Sequence, residues 1–233
     1  RTGTGLFSTD GIRHVIEIEL GRNRRIEELP RAFACVAVDL DSQAEVVFDS
    51  GCIADAVCAS AAFPGFFAPV SLDDRRLIDG GTLNPVPCDV ARQLGAERVI
   101  AVDLSADEPV FTTAGTRPFN PDSLLVTAIV STAEKRKLVR VMARAIGIMG
   151  KRVRESKLAE SPPDAIIRPE VQNVGLLDFD LTDECLAAGE IAARDALDQI
   201  QTLIMPGSRW TQLQKDWRTL PAQIWQSIQA RAK

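Results

Sequence analysis

The stretch LIDGGTLNPVPCDVARQLGAERVIAVDL, residues 77–104, decides the fold class of this chain. It begins with the end of an apolar strand and passes through a glycine- and proline-rich turn into the helical segment CDVARQLG. It ends in the β-branched run ERVIAVDL, which is typical of a buried strand. A strand, a helix and a second strand in this order form a βαβ unit with parallel pairing, so the sequence predicts a layered α/β fold.

The flanking sequence predicts further strands and helices for this fold. Ser8–Asp10 offers caps for an amphipathic helix that begins at Ile12, and AFACVAVDL and AEVVF read as the two arms of a hairpin that turns at Asp41–Ser42. The other expected elements are a helix over 52–62, a surface loop over 107–122, a helical region over 123–158, a strand over 164–169 and a final helix over 182–204.

Pro206 and Gly207 mark a predicted domain boundary. We expect one main domain over residues 1–205 and a helical tail over residues 206–233. The tail carries three tryptophans, Trp210, Trp217 and Trp225. They suit either a membrane interface or packing onto the domain or a partner, and packing is the commoner outcome.

Composition excludes several classes of function. With 27 basic against 32 acidic residues the formal charge is -5, which argues against nucleic acid as a partner because phosphate binding needs a positive field. The five cysteines form no C-x-x-C pair and His14 is the one histidine, so we expect no metal or other cofactor. Reduced thiols indicate a cytoplasmic protein. The chain begins at Arg1, so a leader cannot be judged from it.

Asp79 is the candidate catalytic residue. It ends a strand, and Gly80 and Gly81 let the chain turn without a Cβ crowding the carboxylate. A partly dehydrated carboxylate has a pKa above its usual value of about 3.9 and accepts protons better at neutral pH. Asn84 is close enough along the loop to orient the carboxylate by a hydrogen bond. The alternative from these residues alone is that D-G-G is ordinary turn chemistry.

A longer constellation favours catalysis. ASAAFPGFFAPV (59–70), followed by LIDGGTLNPVP and later by DAIIRPEVQNVGLLDFD, resembles the patatin-like phospholipase family, in particular its bacterial branch related to neuropathy target esterase. The resemblance implies a three-layer α/β/α sandwich and a serine acyl hydrolase acting on phospholipid or lysophospholipid esters. It also implies a Ser-Asp dyad in which Asp79 is the base.

The chain departs from the family pattern at the nucleophile. The family's G-x-S-x-G elbow and glycine-rich oxyanion loop lie before the D-G-G motif, and neither occurs here. Ser8 reads better as a helix cap and Ser60 as a small packing residue. The start at Arg1, with the resemblance under way by Gly5, favours a truncated piece of an active hydrolase whose first strands and elbow are missing. The alternative is an inactive lipid-binding or regulatory relative.

Residues 135–157 form a basic amphipathic stretch. Nine lysines and arginines are opposed only by Glu155, and apolar residues recur at helical spacing, among them Ile146, Met149 and Val153. Such a helix suits peripheral contact with anionic lipid. The sequence favours the plainer interpretation, in which the apolar stripe packs on the sheet and the basic face is solvated.

Overall fold

The computed structural model describes residues 7–104, 133–171, 174 and 181–203, without the side chains of 133–140 and 142–144. The described residues divide after Ala196 into two compact units. The first unit contains both sheets. In the second, the described residues form one helix, α6 (Leu197–Leu203). The predicted boundary at residues 205 and 206, the three tryptophans and the 107–122 loop lie outside the described residues.

A four-stranded antiparallel sheet forms the centre of the first unit. Its strands are β1 (Cys35–Asp39), β2 (Ala44–Phe48), β3 (Val70–Leu72) and β4 (Arg75–Asp79), in the order β2-β1-β4-β3. The predicted hairpin is confirmed. At its turn the Asp39 carboxylate accepts hydrogen bonds from the Asp41 N–H and the Ser42 hydroxyl. These bonds hold the pKa of Asp39 below its usual value.

The fold class is confirmed as α/β, but the strand partners predicted for the opening stretch are wrong. Both edges of β4 are taken, by β1 and by β3, and both pairings are antiparallel. β5 (Ile100–Val102) pairs in parallel with β6 (Ala165–Ile167) instead. The reason is the turn at Asp73–Asp74, where both residues have left-handed φ values of 48° and 60° and fold β3 back onto β4.

The helices of the first unit agree with the prediction in type and approximate position. They are α1 (Asp10–Leu20), α2 (Ile53–Ser60), α3 (Cys88–Gln93), α4 (Ala133–Glu160) and α5 (Thr182–Asp195), with 3₁₀ turns at Ile26–Glu28 and Gly80–Thr82. The final helix predicted over 182–204 is two helices, because the helical run is interrupted at Ala196.

The core lies where α2 covers the four-stranded sheet. Ala59 of α2 is fully buried against Ala37 of β1 and Leu77 of β4. Small side chains along α2 let its backbone approach the strands closely. On its other side α2 contacts α1, and Arg13 is ion-paired with Asp55 at 2.5 Å. This packing fixes β4, and therefore Asp79 at its end, against β1 and α2.

The described side chains of α4 do not follow the favoured interpretation of the basic stretch. Ile146 and Met149, two members of the predicted stripe, are 40% and 58% exposed. The contacts to the sheets come from the last turns: Leu158 packs on the cluster around Val99, and Arg154 forms a buried ion pair with Asp103. At the described positions of α4 before Gly150, the apolar side chains are therefore exposed.

Candidate active site

Asp79 lies where β4 ends and the 3₁₀ turn Gly80–Thr82 begins. Its N–H donates to the carbonyl of Ala62, 3.0 Å away, just after α2, and it is in register with Ala37 of β1. The backbone of Asp79 is therefore held on both sides, by the neighbouring strand and by the segment that leaves α2.

The carboxylate of Asp79 is half-buried and fixed by one hydrogen bond. Oδ1 accepts from the N–H of Gly81 at 2.7 Å. Burial raises the pKa of Asp79, and this outweighs the Gly81 N–H, which lowers it. No described residue bonds Oδ2. The group thus has one oxygen oriented by Gly81, and its pKa is raised by burial as the sequence predicted.

Close approach of two strands explains the first glycine. A Cβ on Gly80 would lie 2.1 Å from the carbonyl oxygen of Val36 in β1, and its φ is not in the left-handed region. Gly81 has more room, since a Cβ there would lie 3.1 Å from Oδ1 of Asp79. Gly80 therefore lets β4 lie against β1 up to its last residue, and Gly81 supplies the N–H that orients the acid.

Asn84 is buried, and its side-chain amide donates to carboxylates other than Asp79. Its N–H donates to the carbonyl of Gly80 at 2.8 Å and closes the turn. Its Nδ2 donates to Asp89 Oδ1 at 2.9 Å and to Glu45 Oε1 at 3.3 Å. Both amide hydrogens are thereby used, so the bond to Asp79 expected from the sequence is not formed. Asn84 shapes the site through the backbone of the turn.

No signal in the sequence indicates the partners of the Asn84 side chain. Glu45 is on β2, Asp89 is at the start of α3, and Lys157 on α4 lies within 3.7 Å of both carboxylates. The spacing of neighbouring residues does not predict contacts among three elements that are distant in the sequence. Lys157 was visible only as one member of a basic stretch.

The other candidates are not joined to Asp79 by any described contact. Ser8 donates its hydroxyl to Asp10 Oδ2 at 2.7 Å and accepts the Asp10 N–H at 3.4 Å, as a residue at a helix start does. Ser60 ends α2 and His14 is exposed on α1. Within the described ranges, no three His, Cys, Asp or Glu side chains are grouped to hold a metal.

An aromatic segment follows Ala62 directly. Phe63 and Phe66 are 5.8 Å apart between ring centroids, and Phe67 lies 6.3 Å from Phe7. The rings are half-buried. Because the carbonyl of Ala62 accepts the N–H of Asp79, this segment starts beside the backbone of the acid.

Comparison with known proteins identifies a matching family model and several relatives. The family model described as patatin-like phospholipase matches residues 1–92. An uncharacterized NTE family protein of Mycobacterium tuberculosis is 33% identical over 186 residues, which are 78% of this chain and 31% of the relative. Patatin-like phospholipase domain-containing protein 7 of Mus musculus is 27% identical over 208 residues, 84% of this chain and 15% of the relative. The chain thus spans about 31% or less of the length of these relatives.

Proposed function

Residues 1–92 belong to the patatin-like phospholipase family, and on that premise we propose that the protein is a serine acyl hydrolase that cleaves phospholipid or lysophospholipid esters. Asp79 is the proton acceptor of a Ser-Asp dyad. The observation that carries the proposal is the half-buried Asp79 carboxylate, with Oδ1 fixed by Gly81 and a pKa raised by burial. This sequence has no G-x-S-x-G, so the proposal requires a serine that is not among the 233 residues.

Asp79 would act twice in the reaction. Its carboxylate takes the serine proton as the hydroxyl oxygen attacks the ester carbonyl, and the protonated acid then gives that proton to the leaving alcohol. Water then attacks the acyl-enzyme. Asp79 takes a proton from this water and gives it to the serine oxygen as the acyl group leaves. The Gly81 N–H holds Oδ1 in place, which leaves Oδ2 to carry the proton.

The test is Asp79→Asn in the full-length protein. Because the amide cannot accept the proton, kcat should fall by on the order of 10²- to 10⁴-fold, while thermal unfolding shows an intact fold. Asp74→Asn is the matched control, since it changes an exposed carboxylate at the other end of β4 and asparagine tolerates its left-handed φ. Unchanged turnover by Asp79→Asn would refute the assignment.

A catalytically inactive lipid-binding or regulatory relative is the second candidate, because no serine of this chain lies in the expected elbow. The two are separated by treating the full-length protein with a fluorophosphonate, which labels an activated serine covalently. Labelling that depends on Asp79 supports the hydrolase. Lipid binding without labelling supports the inactive relative.

We further propose that α4 contacts a membrane surface. Val141, Ile148 and Met149 are each more than half exposed, and Lys151 and Arg152 are exposed on the same helix. Apolar side chains beside basic ones suit an anionic lipid surface, near which each basic residue contributes about 1 kcal/mol. Within the described residues no helix is long and apolar enough to span a bilayer.

Vesicle binding by the full-length protein tests this surface. Arg152→Gln should weaken binding to phosphatidylserine-containing vesicles by about fivefold, and added salt should weaken it further. Arg194→Gln is the control, because Arg194 is also exposed on a helix and pairs within it with Glu190. If the affinity for vesicles changes neither with phosphatidylserine content nor with salt concentration, the proposal is excluded.

A further inference from the structure

Four side chains from four parts of the fold meet behind the Asp79 turn. Asn84 Nδ2 donates to one oxygen of Asp89 at 2.9 Å and to one oxygen of Glu45 at 3.3 Å. Lys157 Nζ lies 3.6 Å from the other oxygen of Asp89 and 3.7 Å from the other oxygen of Glu45. Each carboxylate therefore binds the amide through one oxygen and the ammonium through the other.

Lys157 is the cation that allows two carboxylates to share one amide. The side chains of Glu45, Asp89 and Lys157 are 23%, 29% and 28% exposed, so water screens them only in part. The pKa of Asp89 is lowered: burial alone would raise it, but the Asn84 hydrogen bond and the charge of Lys157 are among the effects that outweigh burial. Without Lys157, two like charges would face each other across Asn84.

The same asparagine controls the turn that carries the acid. The backbone N–H of Asn84 donates to the carbonyl of Gly80. The residue after Gly80 is Gly81, whose N–H donates to Asp79 Oδ1. A displacement of Asn84 therefore moves the turn, and with it the hydrogen bond that orients the carboxylate.

We propose that Lys157 is a positioning residue for the reaction: by holding Glu45 and Asp89 on Asn84, it fixes the Gly80–Asn84 turn and the orientation of the Asp79 carboxylate. This rests on the proposed role of Asp79 as the base. It adds to that role a residue from α4, a helix otherwise noted for its exposed basic surface.

Kinetics of the full-length protein on a soluble short-chain ester test the proposal without involving a membrane. Activity is expressed per active site, titrated to completion with a fluorophosphonate, so that unfolded enzyme is not counted. Lys157→Met should lower kcat by about 5- to 20-fold, because a misplaced base reduces the rate, and leave KM within about twofold. Lys157→Arg keeps the charge and should restore most of kcat.

A double variant tests the charge argument. Lys157→Met/Glu45→Gln removes one carboxylate with the cation, so the two changes together should cost less than the product of their separate effects on kcat. Arg194→Met, which neutralises an exposed arginine paired within its own helix, should leave kcat unchanged. If Lys157→Met does not fold, Lys157→Gln takes its place.

The outcomes distinguish this inference from the proposed function. Wild-type turnover by Asp79→Asn would overturn the role of Asp79 itself. If Asp79→Asn abolishes turnover while Lys157→Met retains wild-type kcat, only the positioning role is overturned. It is also overturned if Lys157→Arg is as defective as Lys157→Met, or if the double variant shows the full product of the two losses.

Discussion

Two adjacent glycines should respond very differently to the same substitution. In Gly80→Ala the new Cβ would lie 2.1 Å from the Val36 carbonyl oxygen and 2.4 Å from its carbon, whereas real Cβ contacts shorter than 3.0 Å are essentially absent. The obstacle is backbone of a paired strand, so β1 and β4 must separate by roughly 1 Å. In Gly81→Ala the nearest atom is a side-chain oxygen of Asp79 at 3.1 Å, which needs to yield by only a few tenths of an ångström.

We expect Gly80→Ala to lower the free energy of unfolding by about 3 kcal/mol and Gly81→Ala to change it by less than about 1 kcal/mol. For a domain of 150–250 residues, 3 kcal/mol lowers Tm by about 6–12 °C, and by less in a larger domain. Both variants lose the same glycine flexibility in the unfolded chain, so that contribution cancels in the comparison.

Thermal unfolding followed by circular dichroism, with urea unfolding as a second measurement, compares the two variants in the full-length protein. Equal Tm values for Gly80→Ala and Gly81→Ala would refute the close approach of Gly80 to Val36. A large loss in Gly81→Ala alone would reverse the roles assigned to the two glycines.

Three further predictions concern buried groups. Arg154→Met removes the buried partner of the Asp103 carboxylate, which is 1% exposed and keeps the exposed Arg168 at 3.5 Å; it should destabilise the fold by about 2 kcal/mol in urea unfolding, and a loss below about 0.5 kcal/mol would contradict this. Burial raises the pKa of Cys35 to about 11, so at pH 8 Cys35 should react with iodoacetamide far more slowly in the native protein than in urea, as read by peptide mass spectrometry. Because the pKa of Asp79 is raised on folding, its charge lowers stability as the pH rises through the interval between the unfolded and folded pKa values. Asp79→Asn should therefore have a higher Tm than wild type at pH 7, and this gain should shrink in acid.

Local sequence was sufficient to predict the hairpin at residues 32–48 and the acid at the end of β4. The β-branched alternation, the Asp41–Ser42 turn and the double glycine are properties of neighbouring residues, and the structure confirms that Asp79 ends a strand before a tight turn. Its catalytic role stays a prediction.

Partners distant in the sequence could not be predicted. The predicted pairing of β4 was wrong because the β3–β4 hairpin was not recognised. Its turn, Asp73–Asp74, contains no glycine or asparagine and is therefore a weak hairpin signal. A strand, helix, strand pattern orders elements along the chain but does not specify which strands pair. The partners of Asn84 could not be predicted either, because order along the chain does not specify contacts between distant elements. These partners come from β2, α3 and α4, which only the folded chain brings together.

The last turns of α4 connect distant parts of the chain, and this has a consequence for the order of folding. Lys157 contacts Glu45, more than a hundred residues earlier, whereas the hairpin containing Glu45 closes over a few residues. Closing long loops costs more entropy than closing short ones and slows folding. We therefore expect the hairpin and the β3–β4 turn to form early and the anchoring of Asn84 to form late. A newly made chain would then have a folded sheet before it has an ordered Gly80–Asn84 turn.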